Sequence, residues 1–358
     1  MTDRYRTRRI RVGSVPVGGG APISVQSMTN TDTRDVRATS SQIRSLWREG
    51  CEIVRVAVPD AEAVRAFRRI RSSSPIPVIA DVHFDHRIAV ACAEAGADGL
   101  RINPGTIGGE EKTLEVLRAA RSARIPVRIG VNAGSLEKDV LARHGGPTPR
   151  AMLESAVRAV RLCEKARFTQ VKFSLKASDV PSTVEAYRLF ARKFRHPLHI
   201  GVTEAGTVFS GAIRSAVGLG ILLSEGIGDT LRVSLTGPPE DEVRAGWQIL
   251  KSLGLRRRGP DFLSCPTCGR VSIDIPAIAS EVERRLSRVT APLTVAVMGC
   301  AVNGPGEARE ADVGVAGGRG EGLLFVRGKV VGKVPERDIV REVVRLAEGL
   351  AEEGRKGR

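Results

Sequence analysis

Aromatic residues are scarce in this chain. Phe, Trp and Tyr together make up 4% of its 358 residues, so platforms that stack single-stranded nucleic acid are not expected. Zinc-finger and RNA-recognition signatures are also missing. The net charge of +16, from 56 Lys and Arg against 40 Asp and Glu, would suit an anionic partner. We attribute most of the surplus to solvated helix faces and predict no nucleic-acid partner.

Long apolar runs are missing as well. No segment approaches the roughly 18 apolar residues that span a bilayer, and the basic amino-terminal stretch has no apolar core of the secretory kind. We therefore expect a cytoplasmic protein without a membrane partner. The fingerprint GxGxxG does not follow the first predicted strand, and GxxxxGK[ST] does not occur. The nucleotide-binding classes that use these motifs therefore lack support.

Short β-branched runs alternate with amphipathic helical patterns over roughly the first 255 residues. Eight predicted strands begin at Ile23, Ile53, Pro77, Gly99, Pro126, Val171, Leu198 and Thr230. Repeated strand–helix units imply a parallel sheet, and eight of them in about 250 residues favour a closed (β/α)8 TIM-like barrel. An open doubly wound sheet is the alternative fold. We place the barrel at residues 1–256 and predict that it binds the substrate.

The ends of the predicted strands carry polar and charged side chains. Active sites of such barrels form at the carboxyl ends of the strands. The candidates there are Gln26, Arg55, Asp81, His83, Arg101, Asn103, Arg128, Asn132, Lys176, Glu204, Arg232 and Ser234. Five of them are cations from five strands, and they outnumber the acids Asp81 and Glu204. Because uncompensated charge inside a barrel is costly, we predict a pocket for an anion, with phosphorylated ligands as the natural class.

The pattern changes near residue 255, where a basic segment with Gly and Pro is typical of a linker. A helix from about 274 to 289 follows, with Asp274 and Pro276 at its start. After it we predict a strand, a loop of sequence CAVNGPGE, and a small antiparallel sheet with a turn at Gly328–Lys329. A last helix closes a compact α+β module, which we place at residues 260–358.

The chain has six cysteines, and disulfides are not expected in a cytoplasmic protein of this length. Three of them stand alone in apolar segments and are predicted to be small buried core residues: Cys51, Cys92 and Cys163. The other three lie in the carboxyl-terminal module. They are the Cys-x-x-Cys pair Cys265 and Cys268, and Cys300 at the end of a later strand.

These three module cysteines indicate a metal centre. The module has no fourth cysteine and no histidine, so a structural zinc site is one ligand short, and a thioredoxin-type pair would not explain Cys300. Three thiolates suit a cubane iron–sulfur cluster in which one iron takes a weaker ligand. Glu307 is the nearest carboxylate in the loop after Cys300. On the residues alone, iron–sulfur is favoured, while zinc and plain thiols stay open.

Several long strings carry a family resemblance: VQSMTNT, IVRVAVP, ADVHF, GLRINPG, RIGVNAGSLE, LKASD, GVTEAG, GIGDTLRVSL, SCPTCGR and MGCAVNGPGE. Together they resemble the 4-hydroxy-3-methylbut-2-enyl diphosphate synthases, iron–sulfur enzymes of non-mevalonate isoprenoid biosynthesis. The resemblance is to the shorter bacterial form, a barrel followed by a cluster domain. It implies a [4Fe–4S] cluster ligated by Cys265, Cys268, Cys300 and Glu307.

The resemblance also implies the substrate, 2-C-methyl-D-erythritol 2,4-cyclodiphosphate, and its two-electron reductive ring opening with loss of water. The positions that match the family's diphosphate-binding residues are Arg55, Arg101, Arg128, Asn132, Lys176, Arg232 and Ser234. Glu204 matches the acid/base residue and Asp81 a second acidic catalytic position. A flavodoxin or ferredoxin is implied as electron donor, and a head-to-tail homodimer as the assembly. His83 and Gln26 are predicted from strand-end placement alone.

Two other functional classes remain as alternatives. A zinc-stabilised nucleic-acid-binding protein would account for the positive charge and the Cys-x-x-Cys pair, and a colourless zinc protein from anaerobic purification would support it. A barrel aldolase or sugar-phosphate isomerase would share the phosphate pocket and use Lys176 as a Schiff-base lysine. An imine trapped by borohydride would support that class.

Overall fold

The structure is a computed structural model, and it describes residues 4–356. The chain divides into two compact units, Met1–Arg256 and Arg257–Arg358. None of the helices within the described span is both long and apolar enough to cross a bilayer.

The first unit opens with a hairpin that the sequence patterns did not predict. Strand β1 (Ile10–Val12) pairs antiparallel with β2 (Val15–Val17), and Gly13 supplies the positive φ of +53° that the turn between them requires. The apolar side chains of the hairpin pack against Ile53 and Ile79. Both of these residues lie near the amino-terminal ends of barrel strands, so the hairpin covers that end of the barrel there.

A parallel sheet forms the centre of the first unit. Its strands are β3 (Ser24–Met28), β4 (Ile53–Ala57), β5 (Val78–Asp81), β6 (Gly99–Ile102), β7 (Val127–Asn132), β8 (Val171–Lys176), β9 (His199–Ile200) and β10 (Thr230–Leu231). In the described residues the order is β8-β7-β6-β5-β4-β3-β10-β9. A parallel bridge between Phe173 and Leu198 brings β8 beside β9 and nearly closes the ring. The predicted TIM-like barrel is confirmed, and the open sheet is wrong.

The last two barrel strands are shorter than predicted, with two residues each. After β10 the regular ladder ends, and an isolated parallel bridge between Thr207 and Thr236 follows. The N–H of Leu235 donates to the carboxylate of Glu242 at 3.2 Å, and that of Thr236 to the carbonyl of Gly206 at 2.9 Å. These bonds replace the sheet ladder, so the expected strand becomes a loop at the barrel mouth.

Helices surround the sheet. They are α1 (Val36–Glu49), α2 (Ala61–Ser73), α3 (His86–Glu94), α4 (Glu110–Ser122), α5 (Lys138–His144), α6 (Pro149–Lys165), α7 (Val180–Lys193), α8 (Val208–Ser224) and α9 (Pro239–Ser252). Four of them begin at an aspartate whose side chain accepts a backbone N–H of the first turn: Asp35, Asp60, Asp85 and Asp179. The apolar faces of the helices and the outward side chains of the strands form one core, which includes all three cysteines predicted to be buried.

Strand alternation divides the side chains of the barrel. In β8, Phe173 and Leu175 belong to the apolar core outside the ring, so Lys172, Ser174 and Lys176 point to its inside. All three inward residues are buried. The inside of the barrel is therefore polar, and its side chains must find partners or charges there.

The second unit is built on a mixed sheet. Its elements are β11 (Asp261–Ser264), α10 (Ile275–Leu286), β12 (Thr294–Met298), α11 (Gly304–Glu310), β13 (Val313–Gly317), β14 (Glu321–Val326), β15 (Lys329–Pro335) and α12 (Ile339–Lys356). Strands β11, β12 and β13 run parallel, and β14 and β15 continue antiparallel. Helices α10 and α12 contribute to the apolar core of the unit with residues such as Val282 and Val343.

Three details of the predicted module are corrected. The sheet is mixed because β11, where no strand was predicted, pairs parallel with β12. The CAVNGPGE segment is not all loop: Pro305 lies in the first turn of α11, where its missing N–H and fixed φ are tolerated. The turn between β14 and β15 lies at Arg327–Gly328, one residue earlier than predicted, and both of its residues have positive φ.

Candidate active site

A buried carboxylate joins two of the predicted cations. Asp81 ends β5, and its Oδ2 lies 3.2 Å from Arg55 Nε while its Oδ1 lies 3.1 Å from Arg101 Nη1. Arg55 also donates to Met28 Sδ. Burial alone would raise the pKa of Asp81, but the attraction of the two arginines outweighs burial and holds that pKa well below its usual range. Asp81 is therefore ionised and orients two guanidinium groups.

His83 extends this group towards solvent. Its Nε2 lies 2.8 Å from Arg101 Nη1 and 3.5 Å from Asp81 Oδ1. A guanidinium can only donate, so the ring nitrogen that faces Arg101 accepts. The side chain is 41% exposed, which leaves part of the ring accessible at the end of β5. His83, which was predicted from strand-end placement alone, therefore contacts Arg101.

Arg128 lies deeper in the barrel. Its Nε and Nη2 reach Ser174 Oγ at 3.1 and 2.8 Å, and its buried Nη1 has no hydrogen-bond partner among the described residues. Burial, and after it the repulsion of Arg55 and Arg101, lowers the pKa of Arg128 well below its usual value. Neighbouring Gly130 leaves room for Arg101, because a Cβ at position 130 would lie 3.1 Å from Arg101 Nε.

Lys176 ends β8 and is buried. Its ammonium lies against Gly201, where any Cβ would overlap with Lys176 Nζ and would come within 2.5 Å of the carbonyl oxygen of Arg232. Burial, followed by the repulsion of Arg128 and Arg232, lowers the pKa of Lys176 well below its usual value. The predicted cations thus repel one another, and an anion bound among them would relieve that repulsion.

The fifth cation, Arg232, is paired with an acid that the sequence patterns did not single out. Arg232 Nη2 lies 3.0 Å from Glu242 Oε1, and its Nε lies 3.2 Å from Glu242 Oε2. Glu242 belongs to the first turn of α9, beside Glu240 and Asp241. Acids at that place are ordinary for any helix, so nothing in the sequence marked this one. The five cations therefore face a second buried carboxylate besides Asp81.

Two further groups inside the barrel were missed. Lys172 and His199 are buried, and Lys172 Nζ and both ring nitrogens of His199 lack hydrogen-bond partners in the part of the chain that the structure describes. Burial, and then the repulsion of Arg128, lowers the pKa of Lys172 to about 7. The alternation that placed Lys176 inside the barrel also places Lys172 there, so this residue was open to prediction.

Of the remaining predicted residues, Gln26 lies deeper in the barrel, in register with the first residue of β4, and the others end or follow strands at the mouth. Asn132 and Ser234 are half-buried and follow or end barrel strands. Gln26 is buried, and its amide has no partner among residues 4–356. Asn103 donates to Ser135 Oγ at 2.8 Å. Their direct contact with a ligand stays a prediction.

Glu204 lies apart from the paired charges. It is exposed on the loop between β9 and α8, and its backbone has a φ of +52°. This left-handed conformation is unfavourable for a residue with a Cβ and is found preferentially where function requires it. The structure gives Glu204 no ion pair with the five cations, and its role as acid/base residue stays a prediction.

In the second unit, the module cysteines lie at one end of the sheet. Strands β11 and β12 are parallel neighbours with Ser264 opposite Val297, so Cys265 and Cys300 both follow the carboxyl ends of adjacent strands. The N–H of Gly299 donates to Cys265 Sγ at 3.2 Å. Parallel strand ends therefore bring these two thiols to the same edge.

Hydrogen bonds favour the thiolate forms. The backbone N–H groups of Asn303, Val302 and Gly304 lower the pKa of Cys300. The backbone N–H and then the side chain of Arg270 lower the pKa of Cys268. In contrast, burial raises the pKa of each of the three core cysteines to about 12. Cys268 and Cys300 thus have the chemistry of metal ligands, and the core cysteines do not.

Glu307 lies on α11 and is exposed. Within residues 4–356, no three His, Cys, Asp or Glu side chains are arranged to hold one metal ion. The structure brings the cysteines to one end of the sheet but does not place them and Glu307 in a coordinating arrangement. The ligand set of four residues therefore stays a prediction.

The fold and the site together define a two-unit protein, a TIM barrel lined by cations and a cysteine-bearing α+β module. The family model described as GcpE TIM-barrel domain matches residues 7–247, and the one described as GcpE protein C-terminal domain matches residues 261–349. The chain belongs to the GcpE family.

Curated relatives match nearly the whole chain. A protein of Geobacter sulfurreducens is 62% identical over 350 residues, which cover 98% of this chain and 99% of that protein. One of Maridesulfovibrio salexigens is 57% identical and covers 93% of each. One of Caldanaerobacter subterraneus subsp. tengcongensis is 54% identical and covers 98% and 99%. All three are named 4-hydroxy-3-methylbut-2-en-1-yl diphosphate synthase (flavodoxin).

Proposed function

We propose that this protein is a 4-hydroxy-3-methylbut-2-enyl diphosphate synthase. It converts 2-C-methyl-D-erythritol 2,4-cyclodiphosphate by reductive ring opening, with electrons from a flavodoxin or ferredoxin. The relatives' shared name, over almost their whole length, supports the reaction. The observation that carries the proposal is the barrel mouth, where five cations from five strands face two buried carboxylates. Such an excess of positive charge suits a ligand with two phosphates.

The cations bind and orient the substrate. The forked guanidinium groups of Arg55 and Arg101 are held by ionised Asp81, and Arg232 is held by Glu242. Fixed donors of this kind stabilise the charge that develops on the phosphate oxygen when the ring C–O bond breaks. Arg128 and Lys176 gain a counter-charge from the same phosphates. Asp81 thus supports catalysis by orientation, since its low pKa makes it a poor proton donor.

Glu204 supplies the proton in this proposal. Two electrons break the ring C–O bond and expel a hydroxyl group, which leaves as water once it has taken a proton. Glu204 is accessible and, unlike Asp81, is not paired with an arginine in the described structure. A carboxylic acid in this position can donate to the leaving hydroxyl.

A [4Fe–4S] cluster is the proposed cofactor, held by Cys265, Cys268, Cys300 and Glu307. The donor set fits, because N–H groups aimed at cysteine sulfurs are a recurrent feature of iron–sulfur sites. The cluster, when bound, would supply single electrons and an iron with an exchangeable oxygen ligand. Membership of the GcpE family implies an iron–sulfur protein, and the cluster type is our proposal.

Metal content tests this part. Anaerobically purified protein should be brown, absorb near about 400 nm and contain about four irons per chain. Cys300→Ser should lose most of the iron, whereas Cys163→Ser, a buried core cysteine, should retain it. Equal iron in both variants would contradict the ligand assignment. A fully loaded wild-type protein that leaves the cyclic diphosphate unchanged with reduced flavodoxin would overturn the proposed reaction.

We also propose a head-to-tail homodimer in which one chain's module serves the other chain's barrel. Mixing Glu204→Ala with Cys300→Ala subunits tests it. Random exchange of subunits makes about half of the dimers heterodimers. In each heterodimer one of the two sites combines an unmutated barrel with an unmutated module, so about a quarter of all sites are intact. Recovery to about that fraction of wild-type activity supports the arrangement, and no recovery contradicts it.

A further inference from the structure

Glu242 is a buried acid on a helix of the outer layer. It lies in the first turn of α9 and is 4% exposed. Ionised carboxylates are rarely buried without partners, because the loss of hydration is costly. The partners of Glu242 therefore show what the residue is for.

Four donors surround this carboxylate. Oε1 accepts from Arg232 Nη2 at 3.0 Å and from the N–H of Leu235 at 3.2 Å. Oε2 accepts from Arg232 Nε at 3.2 Å and from Ser27 Oγ at 2.9 Å. Each oxygen thus has two donors, which uses the full accepting capacity of a carboxylate. The contacts join β3, the chain after β10 and α9 at a single point.

The neighbouring acids of the same turn do something else. Asp241 pairs with Arg244 at 3.0 Å, three residues on, where the arginine side chain is 57% exposed. An exposed pair of this kind contributes little. Among the acids of this turn, Glu242 alone pairs with a barrel-mouth cation in the part of the chain that the structure describes, so its burial is specific to its position on the helix.

We propose that Glu242 is a positioning residue for Arg232 in diphosphate binding. It holds the Nε and Nη2 edge of the guanidinium, so that the Nη1 edge is presented to a phosphate oxygen. Its bond to Leu235 N–H also fixes the loop that carries Ser234. This inference rests on the proposed function and assigns Glu242 a part in it that the family resemblance did not supply.

The geometry requires both the charge and the length of Glu242. In Glu242→Gln an NH₂ group replaces one carboxylate oxygen. This group cannot accept the two hydrogen bonds that the oxygen accepted, so one of the two bonds to Arg232 is lost. In Glu242→Asp the charge remains, but the shorter side chain withdraws the carboxylate from Arg232. A positioning role predicts that both variants weaken binding, whereas a role through net charge alone predicts that Glu242→Asp does not.

The experiment measures the dissociation constant of inorganic diphosphate on the reconstituted holoenzyme by calorimetry, together with KM, kcat and Tm. Glu242→Gln and Glu242→Asp should each weaken diphosphate binding about tenfold, the loss expected when a charge-assisted fork is broken. KM should rise by a similar factor. In an Arg232→Ala background, Glu242→Gln should cause no further loss, because the residue acts through Arg232. Asp241→Asn is the matched control and should behave as wild type.

Two outcomes overturn the proposal: wild-type diphosphate affinity in Glu242→Asp, or an equal loss from Glu242→Gln with and without Arg232. If the Glu242 variants do not fold, Arg232→Lys and Ser27→Ala replace them. Arg232→Lys should weaken diphosphate binding, whereas Ser27→Ala should lower Tm and leave diphosphate binding unchanged. Unchanged binding in Arg232→Lys together with weakened binding in Ser27→Ala also overturns the proposal. Because diphosphate binding needs no turnover, failure of the wild type to convert the cyclic substrate remains a separate result.

Discussion

Replacing Asp81 by Asn should destabilise the protein strongly. The carboxylate is buried between Arg55 and Arg101, with N–O distances of 3.2 and 3.1 Å and side-chain exposures of 2%, 8% and 6% for the three residues. The amide removes the charge and leaves two buried guanidinium groups without compensation. Removal of one partner from a buried ion pair costs about 3–5 kcal/mol, and the loss of two pairs places the expected change at the upper end of that range.

Urea denaturation at pH 7 measures this change in the free energy of unfolding. The matched control is Asp139→Asn, which also removes a carboxylate between two arginines, Arg143 and Arg158, but on the surface. It should change stability little, because solvent screens exposed pairs. A small effect of Asp81→Asn, similar to that of the control, would refute the argument that the buried charges of the mouth depend on Asp81.

The pH dependence of the same variant gives a second check. Asp81 has a lowered pKa in the folded state, so its stabilisation is fully present above the ordinary carboxyl pKa of about 4 and is lost as the pH falls towards the folded pKa. The difference in stability between wild type and Asp81→Asn should therefore be constant from about pH 8 to pH 5 and shrink in strong acid. A difference that vanishes already near neutral pH would contradict this linkage.

Three other predictions follow from the barrel and its charge. Gly201→Ala should displace the Lys176 ammonium and raise KM, because its Cβ would overlap with Lys176 Nζ and the Arg232 carbonyl; unchanged KM would refute the close approach. Lys172 has a pKa lowered to about 7, so the unfolded chain binds more protons and stability should rise from about pH 7 to 10; Lys172→Met should flatten this rise in pH-dependent denaturation. Reduction by an acidic flavodoxin should slow as ionic strength increases, given the net charge of +16; stopped-flow rates insensitive to salt would argue against such steering.

The barrel was predictable because its signals are local and repeated. Eight β-branched runs with helical patterns between them determine the strand order, and alternation within a run such as Val171–Lys176 determines which side chains point inward. Placement at strand ends predicted Arg55, Arg128 and Lys176 as pocket residues, and the structure has all three buried. Lys172 was missed only because the rule was applied to strand ends.

Other features depend on contacts between distant parts of the chain. Glu242 reaches Arg232 and Ser27 because α9 packs on β3, and no local pattern distinguishes it from Asp241 beside it. The amino-terminal hairpin is short, and its partners Ile53 and Ile79 lie far along the chain. Strand β11 pairs with β12 across the whole of α10. Such pairings are set by tertiary packing and not by local propensity.

The hairpin β1–β2 has a consequence for the electrostatics of the barrel. Its apolar side chains pack on Ile53 and Ile79 at the amino-terminal ends of β4 and β5, so the hairpin shields these strand ends from solvent. Buried cations such as Arg128 and Lys176 are shielded from solvent, so their charges are screened less and felt over a longer distance than in bulk water. A covering of a few apolar residues, on the side remote from the mouth, thereby strengthens the attraction that an arriving anion experiences.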